Sequence, residues 1–135
     1  MIVADTNLIS YLLIAGARTA EAQSVLRKDP AWSAPVLWRS EFRNVLALYV
    51  RQGHLALNDA LAYADEAARL IGANEHLPDS APVLRLAESS GCSAYDCEFV
   101  HLARQLGVPL VTSDRKVLQA FPETAISIEA FGHQP

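Results

Sequence analysis

Short apolar runs alternate along this chain with longer stretches whose apolar residues recur every three or four positions. The first run, residues 1–4, stops abruptly at Asp5-Thr6-Asn7, and Leu8, Tyr11, Leu12 and Ala15 then return at helical spacing. A second helix is predicted over residues 18–29, with Ala22, Val25 and Leu26 inward and Pro30 closing it. Residues 32–36 form a short strand in which Pro35 suits only an end or an edge. The clearest helix spans residues 37–52, with a stripe of Phe42, Val45, Leu46, Leu48 and Tyr49 and Gly53 as its stop. Asn58 or Asp59 opens a helix to Ile71, residues 74–77 give a short strand, and Asp79 caps a helix to Ser89. Ser93 caps the next helix, which carries Asp96, Phe99, Leu102, Ala103 and Leu106 to Gly107. A strand at 109–112, a helix at 113–121 and a last strand at 124–128 complete the alternation. The pattern predicts a three-layer α/β/α sandwich with a mostly parallel central sheet.

Composition narrows this picture. With 135 residues, 51% of them hydrophobic, the chain is read as a single domain over 1–135 with a substantial core. A net charge of −4 argues against a protein that coats nucleic acid, yet leaves room for a nuclease whose bound metal reverses the local field. Cys92 and Cys97 are the only cysteines and lack partners for a tetrahedral zinc set, so reduced, packed thiols are expected. His54, His76, His101 and His133 share no spacing and are assigned surface or structural roles. The apolar segment 8–17 has no preceding Lys or Arg, and Asp5 stands where a signal peptide carries positive charge. No stretch is long enough to span a membrane, and a cytoplasmic protein is expected.

Four carboxylates then stand out: Asp5, Glu41, Asp96 and Asp114, each at a strand-to-helix transition or in the first turns of a helix. In a parallel sheet these transitions share one edge, where open α/β sheets place their ligands. Each acid has an ordinary explanation as a helix-capping group. That explanation suffices for Asp5 and Asp114. Glu41 and Asp96, however, lie on or beside apolar stripes, and an inward carboxylate without a partner costs several kcal/mol, roughly, even after relaxation. Arg39 and Arg43 lie near Glu41 and Arg115 follows Asp114, but no basic residue accompanies Asp5, and Arg104 is two helical turns from Asp96. A divalent cation held by oxygen ligands accounts for all four acids together.

The segments Asp5-Thr6-Asn7, Ser40-Glu41, Ala94-Tyr95-Asp96 and Thr112-Ser113-Asp114, in this order, resemble those of the PIN-domain ribonucleases, and among them the VapC-type toxins of bacterial toxin–antitoxin pairs. The resemblance covers essentially the whole chain. It implies that Asp5, Glu41, Asp96 and Asp114 are catalytic and ligate Mg²⁺ or Mn²⁺. It also implies that Thr6 or Asn7 steadies the first carboxylate or the substrate, with Thr112 and Ser113 as the hydroxyl-bearing segment. Arg115, Lys116 and Val117 stand where some members carry a further acid, which implies a weak second metal. The implied reaction is hydrolysis of single-stranded or looped RNA, leaving a 5′-phosphate, with Asp96 or Asp114 positioning the water.

Arg39, Arg43, Arg115 and Lys116 are candidate holders of substrate phosphates, each weighed against a solvated surface charge. Trp38 is a candidate base-stacking residue, with a packed aromatic as the blander reading. The resemblance further implies a small antitoxin partner and a homodimer, to which Tyr49, Val50 and Leu57 are candidate contributors. A phosphoacceptor receiver domain is the main alternative of similar architecture, but no Lys follows the last strand near Ile126-Ser127-Ile128. A haloacid-dehalogenase-type phosphatase needs Asp-x-Asp after the first strand, and Asp5-Thr6-Asn7 supplies half of it. A PIN-like binding module without catalysis is the third alternative.

Overall fold

In the computed structural model, which describes residues 1–134, the alternation read from the chain becomes a five-stranded sheet with helices on both faces. The elements are β1 (Ile2–Ala4), α1 (Thr6–Leu13), α2 (Thr19–Lys28), β2 (Trp32–Pro35), α3 (Trp38–Arg51), α4 (Leu57–Ile71), β3 (Glu75–His76), α5 (Ser80–Ser90), α6 (Ala94–Leu106), β4 (Leu110–Thr112), α7 (Arg115–Ala120), β5 (Ala125–Ser127) and α8 (Ile128–His133). Every strand pair is parallel, and the order is β3-β2-β1-β4-β5. Short, fully buried strands explain why β1, β2 and β4 show no alternation of apolar and polar positions, with Ser33 and Thr112 as the polar residues buried among them.

α6 lies across β1, β2 and β4 with α5 packed on it, while α1 and α8 rest on β4 and α4 rests on β2. The core between these layers contains Ile2, Leu8, Trp32, Phe42, Ile71, Leu102 and Ile128, all essentially without solvent contact. Trp32 keeps its indole N–H satisfied by donating to the Asp29 carbonyl at 2.8 Å.

Pro35 ends its strand, as expected, and this lets β2 be internal, between β3 and β1. The N–H groups of Ala34 and Val36 bond to β3, through the Asn74 and His76 carbonyls. Pro35 lies between them, and its missing N–H falls on the β1 side, just past the last register pair, Val3 with Ser33. The last strand stops at Ser127 rather than Ile128, because Ser127 accepts from the Ala130 N–H and so caps α8. α8 buries Ile128 and Phe131 and packs on α2; its single turn and a half gives too little periodicity to read from the chain.

The order of strands reverses direction between β1 and β4. Successive connections run outward from β1 to β2 and β3 on one side, and from β4 to β5 on the other. The C-terminal ends of β1 and β4 therefore flank a crevice in which ligands bind in open α/β sheets.

Candidate active site

Asp5 leaves the end of β1 and Asp114 follows β4 by two residues, so the switch point itself delivers two of the four acids. Asp5 caps α1 by accepting from the Leu8 N–H at 2.8 Å, and Asp114 caps α7 by accepting from the Lys116 and Val117 N–H groups. Glu41 comes from the first turn of α3 and Asp96 from the first turn of α6, whose start is fixed by the Ser93 side chain accepting from the Asp96 N–H. All four carboxylates line one cavity of about 260 Å³, together with Thr6, Asn7, Asn44, Thr112 and the apolar floor of Val45, Phe99, Leu110 and Val117.

Two threonines hold two of the acids in place. The Thr6 hydroxyl donates to Glu41 Oε1 at 2.7 Å, tying α1 to α3. The Thr112 hydroxyl donates to Asp5 Oδ2 and accepts from the Asp114 N–H at 3.0 Å, so one side chain links both ends of the switch point. The Ser113 N–H also faces Asp5 Oδ2, at 3.4 Å, while the Ser113 hydroxyl lies 3.5 Å from the Tyr11 hydroxyl.

The electrostatics is that of crowded anions, with the charge of Lys116 acting on Asp96 from outside the cavity lining. Burial pushes the Asp5 carboxyl up to about 6 against the hydrogen bonds it accepts, and the charge of Asp114 adds to the rise. Burial likewise raises Glu41, with Asp96 contributing, and raises Asp96, with Asp114 contributing and Lys116 opposing. No Lys or Arg is among the residues lining the cavity.

The predicted arginines are elsewhere. Arg39 donates through Nε and Nη2 to the two oxygens of Glu75 and lies over the Trp38 ring, 5.2 Å from its centroid. Arg43 is exposed and contributes to lowering Glu75, and Arg115 is exposed at the first position of α7; neither lines the cavity. Trp38 is buried and donates its indole N–H to Glu75, so it is the packed aromatic and not a stacking surface. Adjacency in sequence misled here because consecutive helical residues point about 100° apart: Glu41 faces the cavity while Arg39 and Arg43 face away. Asn44 is the lining residue not singled out in the sequence, although its place one turn after Glu41 was a usable signal. Glu98, on α6, is a further acid raised by burial and by the charge of Glu41.

The donor set suits a hard divalent cation, since carboxylate, hydroxyl and amide oxygens are the ligands such ions take. Among the described residues, no three His, Cys, Asp or Glu side chains are drawn together closely enough to form a metal cage by themselves. Mg²⁺ does not require one, because it keeps several waters beside one or two carboxylates.

A family profile for the PIN domain matches residues 2–124. The chain belongs to the PIN-domain family. PAE2754 from Pyrobaculum aerophilum is similar to it at 23% identity and a TM-score of 0.78, covering 97% of this chain and 85% of that one. FitAcB from Neisseria gonorrhoeae is similar at 20% identity and a TM-score of 0.69, covering 95% and 98%. FitAB bound to the IR36 DNA fragment is similar at 19% identity and a TM-score of 0.70, covering 100% and 98%. At these identities the likeness concerns the PIN fold. No curated protein matches the chain. Among the described residues no helix of this PIN domain is long and apolar enough to cross a membrane.

Proposed function

We propose that this PIN domain is a metal-dependent endoribonuclease and the toxin of a VapC-type toxin–antitoxin pair. The observation that carries the proposal is the convergence of Asp5, Glu41, Asp96 and Asp114 on one cavity at the switch point, with no basic residue in its lining. PIN domains are in general metal-dependent nucleases, and the likeness to FitAB, solved on DNA, supports a partnered toxin.

In this reading Asp5, Glu41, Asp96 and Asp114 hold Mg²⁺, or Mn²⁺ in its place. When bound, such an ion neutralises a phosphodiester and acidifies a coordinated water. The chain's own part is to place charge and hydrogen-bond donors around that phosphate. Thr6 and Thr112 fix the Glu41 and Asp5 carboxylates, so their oxygens are preorganised before substrate arrives. Either Asp96 or Asp114 accepts a proton from the attacking water and acts as its positioning base. Because the two hydroxyl protons are committed to carboxylates, the amides of Asn7 and Asn44 are the side-chain donors left in the lining for a phosphate or ribose oxygen.

Asn44→Asp supplies a fifth negative group in place of a donor. The variant is expected to weaken RNA binding at least about ten-fold while Mn²⁺ binding holds or strengthens, as read by filter binding and calorimetry. Unchanged RNA affinity removes Asn44 from the substrate-binding set.

The nuclease reading itself is tested by incubating the purified chain with a labelled single-stranded RNA in Mg²⁺ and in EDTA. Cleavage in Mg²⁺ alone, leaving 5′-phosphate ends, is expected. Equal RNA integrity in both would favour the PIN-like module without catalysis. An antitoxin that places a basic segment in the acidic cavity would suit its charge. A homodimer would cover the exposed Leu48, Leu57 and Leu61 on the adjoining α3 and α4; a monomer by light scattering would count against it.

A further inference from the structure

A second cavity, of about 290 Å³, adjoins the acidic one and shares Asn7 and Val45 with it. Its walls are α1, α3 and the connection from Ile14 to Thr19 that leads into α2. Along α3, Glu41, Val45 and Tyr49 follow at i, i+4 and i+8, a stripe that starts in the acidic cavity and ends in the second. Asn7, Ser10 and Tyr11 of α1, with Ile14 just past its end, make the facing wall. From Glu41 to Tyr49 the stripe is roughly 12 Å long at 1.5 Å per residue, a span on the scale of one or two nucleotides.

The chemistry changes along that stripe. The acidic cavity holds four carboxylates and no cation, whereas the second cavity holds no carboxylate. Arg18 is its one charged residue, and its guanidinium is shared between Glu21, Glu129 and the Tyr11 ring, 4.9 Å from the centroid. The second cavity is therefore close to neutral, suited to a neutral, planar, partly apolar group. Tyr49 is the residue the fold does not otherwise explain. It is only partly buried and does not belong to the hydrophobic core or to the residues packed against it; its aromatic neighbour is the edge of His54 at 6.4 Å.

We infer that this second cavity is a nucleobase subsite: the base beside the phosphate held in the acidic cavity enters it and stacks on Tyr49, with the Asn7 amide at the shared border facing its polar edge. The inference rests on the nuclease reading for the direction in which the RNA runs, but it concerns binding and is tested without cleavage. Base–aromatic stacking tolerates any base, and a hydrogen-bonding amide adds preference among them. A protein segment is the competing occupant of the same walls.

The test uses the Asp5→Asn protein in Mg²⁺, so that RNA stays intact, and a single-stranded RNA hexamer carrying 2-aminopurine at one of its positions in turn. Stacking on Tyr49 is expected to quench the fluorophore at one preferred position. Tyr49→Ala in that background is expected to abolish the quench and weaken binding roughly five- to a hundred-fold. Tyr49→Phe is expected to restore both, since the ring and not the hydroxyl does the stacking; a merely structural effect of the truncation would appear as a lowered melting temperature in Tyr49→Ala. Binding without position-specific quenching, or quenching unaltered by Tyr49→Ala, overturns the subsite and assigns the cavity to a protein segment. Absence of RNA binding overturns it as well. Failure of the native chain to cleave RNA, with quenching intact, instead counts against the nuclease reading alone.

Discussion

Asp5→Asn is expected to make the metal-free protein more stable at pH 7. The Asp5 carboxyl titrates near 6 in the folded chain against about 3.8 in the unfolded one, because burial disfavours its charge. Between those two values the folded state binds more protons than the unfolded state, so its stability falls as pH rises through the window and the penalty is complete by about pH 7. The shift of about two pH units corresponds to about 3 kcal/mol, as an order of magnitude. Asn keeps the cap on α1 but presents an amide to the Thr112 hydroxyl and the Ser113 N–H, which returns about 1 kcal/mol of the gain. A net rise of about 1–2 kcal/mol remains, several degrees in melting temperature. Denaturant unfolding in EDTA at pH 7 and at pH 4 checks this: the advantage of Asp5→Asn is present at pH 7 and shrinks toward zero at pH 4. An advantage independent of pH would show that the Asp5 charge is not the cause. Destabilisation of this kind, held at a site and relieved by ligand, is the usual cost of function in a catalytic cleft.

Glu41→Gln and Asp96→Asn are expected each to lower RNA cleavage by at least about a hundred-fold, the scale of removing one positioned charge-stabilising group. Both should leave folding intact, because each is partly exposed and each replacement keeps the shape of the side chain. The Glu41→Gln side chain in particular retains an oxygen for the Thr6 hydroxyl, so the tie between α1 and α3 persists. Cleavage rates measured beside melting temperatures and Mn²⁺ affinity separate the effects. Lost cleavage with weakened Mn²⁺ binding and a melting temperature that is not lowered is the expected result, since burial raises both carboxyls and their neutral replacements carry no such penalty. Cleavage at the native rate in either variant would remove that acid from the centre.

The layered fold was legible because the strands are buried on both faces and the helices carry one apolar stripe each, so the two periods separate cleanly along the chain. The four acids were legible for a related reason, since a parallel sheet brings every strand-to-helix transition to one edge. What sequence could not supply was depth. Asp5 looked fully explained as a cap, and it is a cap, yet it is the acid whose pKa rises furthest. Its neighbours across the switch point come from residues 111–114, and that proximity exists only once β1 pairs with β4. The inward placement of Glu41 and Asp96 did follow from their stripes, and the hydroxyl of Thr6, rather than Arg39 or Arg43, meets Glu41. Those arginines were misplaced because Glu75, from β3, has no sequence signal linking it to α3. α8 and the cavity ending at Tyr49 depend on the packing of helices distant in sequence, which no local pattern encodes.

The most direct measurement is cleavage of a labelled single-stranded RNA in Mg²⁺ by the native chain and by Asp5→Asn, purified identically and freed of contaminating RNase. The native chain is expected to cleave and the folded Asp5→Asn protein to be slower by at least about a hundred-fold. Equal rates from the two preparations would contradict a nuclease centre built on these four carboxylates.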